Sequence, residues 1–571
     1  MGAVPMNKIV FRVAMGLTLL SFFAVGQSAG QKERPLSPSE KMDELFGFWD
    51  RLDQPGFAVV VVKDGQVAYQ KVFGLACQEH AAAITPNTDF NTATLAQVFV
   101  GQSVAMLEKQ GKLSLEDDVR KYIPEIRDFG TQVKLRHLVY QSSGLRDWLP
   151  VLQLTGRDKL EVTIDTVLKV VKAQKQLIFP PGDRFLFSAT NYDLLAEVIK
   201  RATGKSFSEW AWENIFKPLK MTRTQFRDNY RSIFDNEALS YNFTRQEYLR
   251  GVDTLSLTGS HSLFTSVADL AKWLVNLESG PADGRDIFAK MFMAGALNSG
   301  GASISGYGLN VGSWRGKRVV GQVGAWAGSG AALSYFPDQK FGFAVLANWD
   351  YTSIDGFSAD IIDIYLPAPT PAPAPAPPVK KSPPAAAKKA VKVGPEKLDR
   401  YVGDYRMGPG QIYSISRAGD QLVFNVPGAK FPLISLSETE FLLAVADARI
   451  TFQTDREGKV QHFVWKQGGD EQIAPKIVLV KPTPRELQEF TGAYSNEELA
   501  LRYAVELRGD ALIVTTPGQN DIRLAPDEKD RFTTSSRIFP MVIFQRDGQN
   551  QVTGFIIDSD PVRDLVFKRT F

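Results

Sequence analysis

Residues 57–72 read FAVVVVKDGQVAYQKV. Two valine-rich runs, Phe57 to Val62 and Val67 to Val72, flank Lys63-Asp64-Gly65-Gln66. An Asp-Gly pair between such runs predicts a hairpin with a tight turn. Strand-like alternation returns between Gly306 and Leu346, whereas helical periodicity dominates from about Gln97 to Leu277. Strands at both ends of a helical middle predict an α+β domain, with one antiparallel sheet completed by its last strands and a helical subdomain inserted. Ahead of the hairpin, Ser37-Pro38-Ser39-Glu40 predicts a helix start with a capping serine, a first-turn proline and a glutamate that closes a capping box. Leu45, Phe48, Trp49 and Leu52 follow at helical spacing.

The chain of 571 residues is too long for one ordinary core, so several domains are expected. Its 66 Lys+Arg against 63 Asp+Glu give a net charge of +3, without the basic excess that phosphate-driven nucleic-acid binding needs. One cysteine, Cys77, excludes an intramolecular disulfide framework. Four histidines (His80, His137, His261, His462) and no H-E-x-x-H leave no basis for a metal centre. No glycine-rich phosphate loop is present, and no cofactor is expected.

Lys8 and Arg12, the apolar run Val13 to Val25 and small residues around Gly26, Ser28 and Ala29 follow signal-peptide grammar. The run is shorter than the ~20 residues of a spanning helix. Residues 1–29 are therefore expected to be a cleaved signal peptide, and the mature chain to be exported to a bacterial periplasm or the extracellular space, without a transmembrane segment. Residues 30–366 form the α+β domain. From Pro367 to Pro384 the chain reads PAPTPAPAPAPPVKKSPP, a composition that favours polyproline II, so residues 367–394 are expected to be a Pro/Ala/Lys spacer.

After the spacer the chain repeats. Leu398, Tyr401, Gly403 and Tyr405 recur as Leu487, Phe490, Gly492 and Tyr494, each displaced by 89. Phe452, Val460 and Phe463 pair with Phe544, Val552 and Phe555 at a displacement of 92. Each unit alternates apolar and polar residues between short turns, predicting two small all-β domains, 395–481 and 482–571, built as antiparallel meanders or barrels.

FNTATLAQVFVGQSVAMLEKQGKLSLEDDVRKYIPE (90–125), LRHLVYQSSGLRDW (135–148), FPPGDRFLFSATNYDLLAEVIKRATGKSF (179–207), NIFKPLKMT (214–222) and GQVGAWAGSGAALSYFPDQKFGFAVLAN (321–348) occur in that order. In this succession the first domain, from about Pro55 to Asn348, resembles the serine β-lactamase-like hydrolases, the group of class C β-lactamases, penicillin-binding carboxypeptidases and related esterases. The resemblance implies the β-lactamase/transpeptidase fold and a site assembled from three blocks. These are an S-x-x-K whose serine attacks an acyl carbon with lysine as base or proton relay, a Y-x-N, and an H-x-G or K-T-G on an edge strand.

Carried over position by position, the blocks land on Thr94-Leu95-Ala96-Gln97, Phe187-Ser188-Ala189 and Gln322-Val323-Gly324. Only Gly324 matches a motif position. Thr94 keeps a hydroxyl, but Gln97 is a neutral amide that takes no proton as lysine does, and Phe187 and Ala189 lack the phenol and the amide. Losing one positioned acid–base group lowers a rate by about 10²–10⁴-fold. No S-x-x-K or G-x-S-x-G occurs elsewhere. None of Thr94, Gln97, Phe187, Ala189 and Gln322 is therefore expected to be catalytically competent.

T-x-x-Q is also a capping-box pattern, so Thr94 and Gln97 are expected to close the start of the helix Val98 to Leu107. Trp326, Gly324 and His261 are the candidate pocket residues. Trp326 keeps the family's tryptophan beside the third motif, and His261 lies between two hydroxyls in Ser260-His261-Ser262. Ser142-Ser143-Gly144 matches a structural turn of the family.

The expected function is an exported pseudoenzyme of the cell envelope that binds a cell-wall peptide, a glycan or an envelope protein, or that regulates an intact relative. Two alternatives stand beside it. One is a weak acyl hydrolase (β-lactamase, esterase or D-peptidase-like) using Thr94 or a site outside the family's motifs. The other is adhesion or assembly through the β-domains.

Overall fold

The computed structural model describes residues 34–367 and 391–570, apart from 245–246, 281, 351–353, 409–410, 427–428, 447, 468–469, 516–519, 537, 559 and 561. The expected signal peptide and most of the expected spacer lie outside these residues.

The hairpin at residues 57–72 is present. Phe57–Lys63 pairs antiparallel with Gln66–Phe73, and the turn residues Asp64 and Gly65 take φ of +50° and +75°, as a two-residue hairpin turn requires. The other edge of Phe57–Lys63 pairs with Phe341–Ala347, in register from Phe57 opposite Ala347 to Lys63 opposite Phe341. Beyond it lie Ser329–Phe336, Lys317–Trp326 and Asn310–Trp314, which complete a six-stranded antiparallel sheet joining the two ends of the domain.

The valine run of the first strand has a packing reason. Ala58, Val60 and Val62 enter the large core shared with the helical subdomain, while Phe57, Val59 and Val61 enter a second core beneath the helices Pro38–Gly47 and Ile354–Tyr365. Helices cover both faces, so every position of Phe57–Val62 is apolar and the polar alternation of a one-sided sheet is absent.

The Ser37–Glu40 capping box forms: Ser37 Oγ accepts from Glu40 N at 3.3 Å, and Glu40 Oε2 accepts from Ser37 N at 2.8 Å. The helix ends at Gly47, earlier than the Leu45–Leu52 spacing predicts, and it buries Met42 and Phe46. Phe46 is held by Phe357 at 4.7 Å and Phe73 at 5.4 Å between ring centres, and these contacts set the helix face. Phe48 and Leu52 stay exposed.

Both C-terminal repeats fold as antiparallel sheets of matching strand order. In the second, eight strands from Gly492–Asn496 to Leu565–Thr570 close into a barrel. The first has nine strands, because the segment matching Ile522–Glu528 is split at Leu433 into Ala429–Pro432 and Ile434–Ser435. The shared residues have shared jobs. Tyr405 and Tyr494 each donate their hydroxyl to the carbonyl four residues back, at 2.7 and 2.6 Å, and each plugs its own core. Among the described residues, no helix is long and apolar enough to cross a membrane.

The second barrel is docked on the first domain. Leu154, at the end of helix Trp148–Thr155, inserts its side chain into the barrel's core, and its carbonyl accepts from buried Tyr503 Oη at 2.7 Å. Arg146 is buried beside it. Its Nε donates to Glu498 Oε1 and its NH1 to the Arg563 carbonyl, both at 2.7 Å.

Candidate functional site

Thr94 lies in a single 3₁₀ turn, Ala93–Leu95, that runs into the helix Ala96–Lys109. Ala93, fully buried, is held at φ +50°, a conformation that disfavours any residue with a Cβ. The surroundings enforce it. Asn91 Oδ1 accepts from Ala93 N at 3.0 Å, and Thr92 donates both N–H and Oγ1–H to the Leu263 carbonyl, each at 3.0 Å. The strand Lys317–Trp326 presses on this turn through Gly324, where an added Cβ would stand 2.7 Å from both Thr92 O and Thr94 N. Glycine is required there by close approach, which accounts for the one motif residue this chain keeps.

The expected Thr94–Gln97 capping box is absent. The helix begins from Leu95 with no side-chain cap, because the first N–H groups already find backbone carbonyls: Leu95 N bonds Thr92 O, and Ala96 N bonds Ala93 O and Thr94 O. Thr94 Oγ1 instead donates to the Val323 carbonyl at 2.9 Å.

Gln97 points into a buried cluster of amides. Its Oε1 accepts from Gln141 Nε2 at 3.4 Å and from Gln322 Nε2 at 3.5 Å, so two of the three motif blocks meet here. Gln141 is the hub. Its Oε1 takes the backbone N–H of Ser188 at 3.0 Å and Asn191 Nδ2 at 2.6 Å, tying in the third block. Asn191 Oδ1 in turn accepts from Ser143 Oγ at 2.6 Å, and Gln322 Oε1 accepts from Asn310 Nδ2 at 3.2 Å. Gln97 Nε2 and Ser188 Oγ are buried without a partner.

Sequence reasoning did not find Gln141 or Asn191. Both sit inside the quoted blocks, and the local sign at Gln141 is structural: it takes φ +54°.

Phe187 and Val323 are the apolar groups the site shows to solvent, at 42% and 44% exposure, while Ala189 is buried. Ala189 N donates to Asp147 Oδ2 at 3.1 Å. Asp147 is fully buried, and desolvation pushes its carboxyl up to about 6. Asp193 behaves alike: it accepts from Trp148 Nε1 and Ser260 N, both at 2.7 Å, and burial lifts it to about 7.

The candidate pocket residues Trp326 and His261 are in contact, with ring centres 5.1 Å apart, and Trp148 backs both at 6.4 Å. Trp326 Nε1 donates to Asp253 Oδ1 at 3.0 Å, and burial raises that carboxyl too. Ser260 Oγ lies 2.7 Å from His261 Nδ1, the spacing of a nucleophile and base. Ser260 is fully buried and His261 nearly so, and desolvation lowers the imidazole to about 4, leaving it neutral at pH 7. The pair braces the aromatic wall and offers no surface to a substrate.

Chemically, the site holds a hydroxyl whose proton is committed to a carbonyl and a ring of neutral amides. Among the described residues, no lysine, histidine or tyrosine side chain hydrogen-bonds Thr94, Gln97 or Gln322, and no group of three His, Cys, Asp or Glu residues could hold a metal ion.

Comparison with known proteins agrees with this architecture. A domain of unknown function (DUF3471) matches residues 387–476. Protein flp of Staphylococcus aureus (strain MRSA252) is 24% identical over 302 residues, covering 52% of this chain and 59% of flp, so the chain spans about three fifths of that relative. Penicillin-binding protein 4* of Bacillus subtilis (strain 168) is 23% identical over 449 residues, 76% of this chain and 97% of the relative. The octameric penicillin-binding protein homologue from Pyrococcus abyssi shares the fold, with a TM-score of 0.51 at 21% identity over 76% of this chain and 99% of that one. The Beta-lactamase family matches residues 44–364, more than half of the chain and the whole of the six-stranded sheet, and the protein belongs to that family.

Proposed function

We propose that this chain is a β-lactamase family member that binds a ligand at the family's site without hydrolysing it, in the cell envelope. One observation carries the reading: the position of the family's lysine holds Gln97, buried and bonded to two further amides, Gln141 and Gln322. A hydroxyl attacks an acyl carbon at neutral pH only when a base takes its proton. Thr94 donates its hydroxyl hydrogen bond to Val323 O, and a neutral amide is no base that could take the proton. The export expected from the amino-terminal segment is part of this proposal, as is a cell-wall peptide, glycan or envelope protein as ligand.

The experiment challenges the mature protein with a chromogenic cephalosporin, a p-nitrophenyl ester and a fluorescent penicillin, and follows intact mass. No turnover and no covalent adduct are expected. Turnover or a stable adduct that disappears in Thr94→Ala overturns the proposal.

A further inference from the structure

The charges around the site are arranged by the second barrel. Arg184 stands three residues before Phe187, and its guanidinium is held by both oxygens of Asp560 at 2.7 and 3.0 Å. Arg146 precedes Asp147, whose carboxylate holds Ala189 N, and it is neutralised by Glu498. The other oxygen of Glu498 accepts from Lys175 N at 3.2 Å, and Glu497 takes the Lys175 ammonium at 2.7 Å. Arg184 and Arg146, on the segments that flank Phe187–Ala189, and Lys175 beside Arg146 are thus paired with carboxylates of one barrel, Asp560 being shared with the barrel's own Arg563.

The site itself contributes no charge. Thr94, Gln97, Phe187, Ser188, Ala189, Gln322, Val323, Gly324 and Trp326 are all neutral. The acids behind it, Asp147, Asp193 and Asp253, make no ion pair among the described residues. Thr94 adds a directional preference. With its O–H directed to Val323 O, the hydroxyl has lone pairs left and can accept a ligand N–H, whereas a carboxylate needs donors.

We propose that the second barrel sets the charge selectivity of this site: by holding Arg184, Arg146 and Lys175 it leaves a mouth that takes an uncharged, apolar carboxamide and turns away the matching carboxylate. The proposal rests on the non-hydrolytic reading for the existence of a ligand. Phe187 and Val323 supply the apolar contact, Thr94 accepts the amide N–H, and Asp560 and Glu498 act as specificity-determining residues without touching the ligand.

The test is equilibrium binding to the full mature chain, by ligand-observed NMR, of N-acetyl-phenylalaninamide and N-acetyl-phenylalanine, which differ only in the charged terminus. The amide is expected to bind about tenfold more tightly at low salt, a gap that narrows as salt screens the field. Asp560→Asn, at a partly exposed pair, should raise the affinity of the acid roughly fivefold and leave the amide unchanged. The inference is overturned if the two ligands bind equally, if neither binds at millimolar concentration, or if a folded Asp560→Asn leaves the ratio as it was. Turnover of a chromogenic cephalosporin would sink the non-hydrolytic reading instead, and it leaves the amide-to-acid ratio to be judged separately.

Discussion

Thr94 Oγ1 stands 2.9 Å from the carbonyl oxygen of Val323 and gives it the hydroxyl's one proton. The bond joins the head of the helix Ala96–Lys109 to the strand Lys317–Trp326, so Thr94 serves as a strut. Thr94→Ala should therefore lower stability by about 0.5–1.5 kcal/mol, the range of a single hydrogen bond. Thr94→Ser, which keeps the hydroxyl, should stay close to wild type. Urea unfolding of the three proteins checks the order, and equal midpoints for alanine and threonine would remove the strut.

Restoring the serine and lysine together should not restore hydrolysis. In Thr94→Ser/Gln97→Lys the new ammonium would sit at a site 1% exposed, facing the amides of Gln141 and Gln322 with no carboxylate bonded there. Desolvation lowers the pKa of such a lysine and destabilises the fold by several kcal/mol. Phe187 still supplies no phenol. The expected result is a lower melting temperature and no cephalosporin turnover, and a large recovery of activity would show that the missing phenol matters less than the amide cluster implies.

What the sequence made legible follows from the range of each signal. The hairpin at residues 57–72 rests on Asp64-Gly65 and its flanking valines, all local, and it formed as expected. The repeat was legible because Tyr405 and Tyr494 are fixed by the same contact inside their own units. The helix start at Thr94 was misread, because a four-residue pattern cannot report a carbonyl on Val323, 229 residues away. Gln141 and the grip of Glu498 on Arg146 escaped for the same reason. A glutamine or a glutamate in a loop looks solvated until the fold buries it.

Gly324 should tolerate no side chain. An added Cβ at this position meets Thr92 O and Thr94 N at 2.7 Å, both backbone atoms that cannot swing aside. Gly324→Ala must push the strand off the turn that strains Ala93, and overpacking of this kind costs about 1–3 kcal/mol. Gly312, on the neighbouring strand, has nothing within 4 Å, so Gly312→Ala is the control and should change the melting temperature little.

The stability that Asp193 contributes should fall as the pH rises from about 4 to 7 and level off by about 8. Asp193 titrates near 7 in the folded protein and near 4 when unfolded, so between those values the folded state holds a proton that the unfolded chain has already lost, and above them neither state holds it. Raising the pH through 7 removes that proton and leaves a buried charge, which withdraws the stability that protonation provided. His261, folded at about 4 against an unfolded value near 6.5, acts in the opposite sense between those values, where acid favours the unfolded chain, so the decline from Asp193 is unopposed by it above about 6.5. Denaturation between pH 6 and 8.5 should show the decline in wild type and a flatter profile in Asp193→Asn. An unchanged slope in that variant would place the titration elsewhere.

The clamp between the barrel and the first domain predicts an asymmetry between its two partners. Arg146 is 1% exposed and Glu498 9%, so removing either leaves the other charge buried without its counter-ion, at a cost of about 3–5 kcal/mol. Glu498→Ala strands the guanidinium against the carbonyl of Arg563, which can still accept one of its bonds. Arg146→Ala strands Glu498 beside Lys175, whose backbone N–H still donates to it, and frees the Arg563 carbonyl. The arginine has five donors to satisfy and two partners for its side chain among the described residues, whereas the carboxylate lies nearer solvent. Glu498→Ala should therefore be the more damaging change, and it should expose the segments 142–148 and 174–184 to hydrogen exchange by loosening the barrel from them. The double variant Arg146→Met/Glu498→Leu, which removes both charges and keeps the volume, should recover most of the lost stability. Exchange protection that is identical in Glu498→Ala and wild type would mean that Leu154, Tyr503 and the remaining ion pairs hold the barrel in place without the clamp.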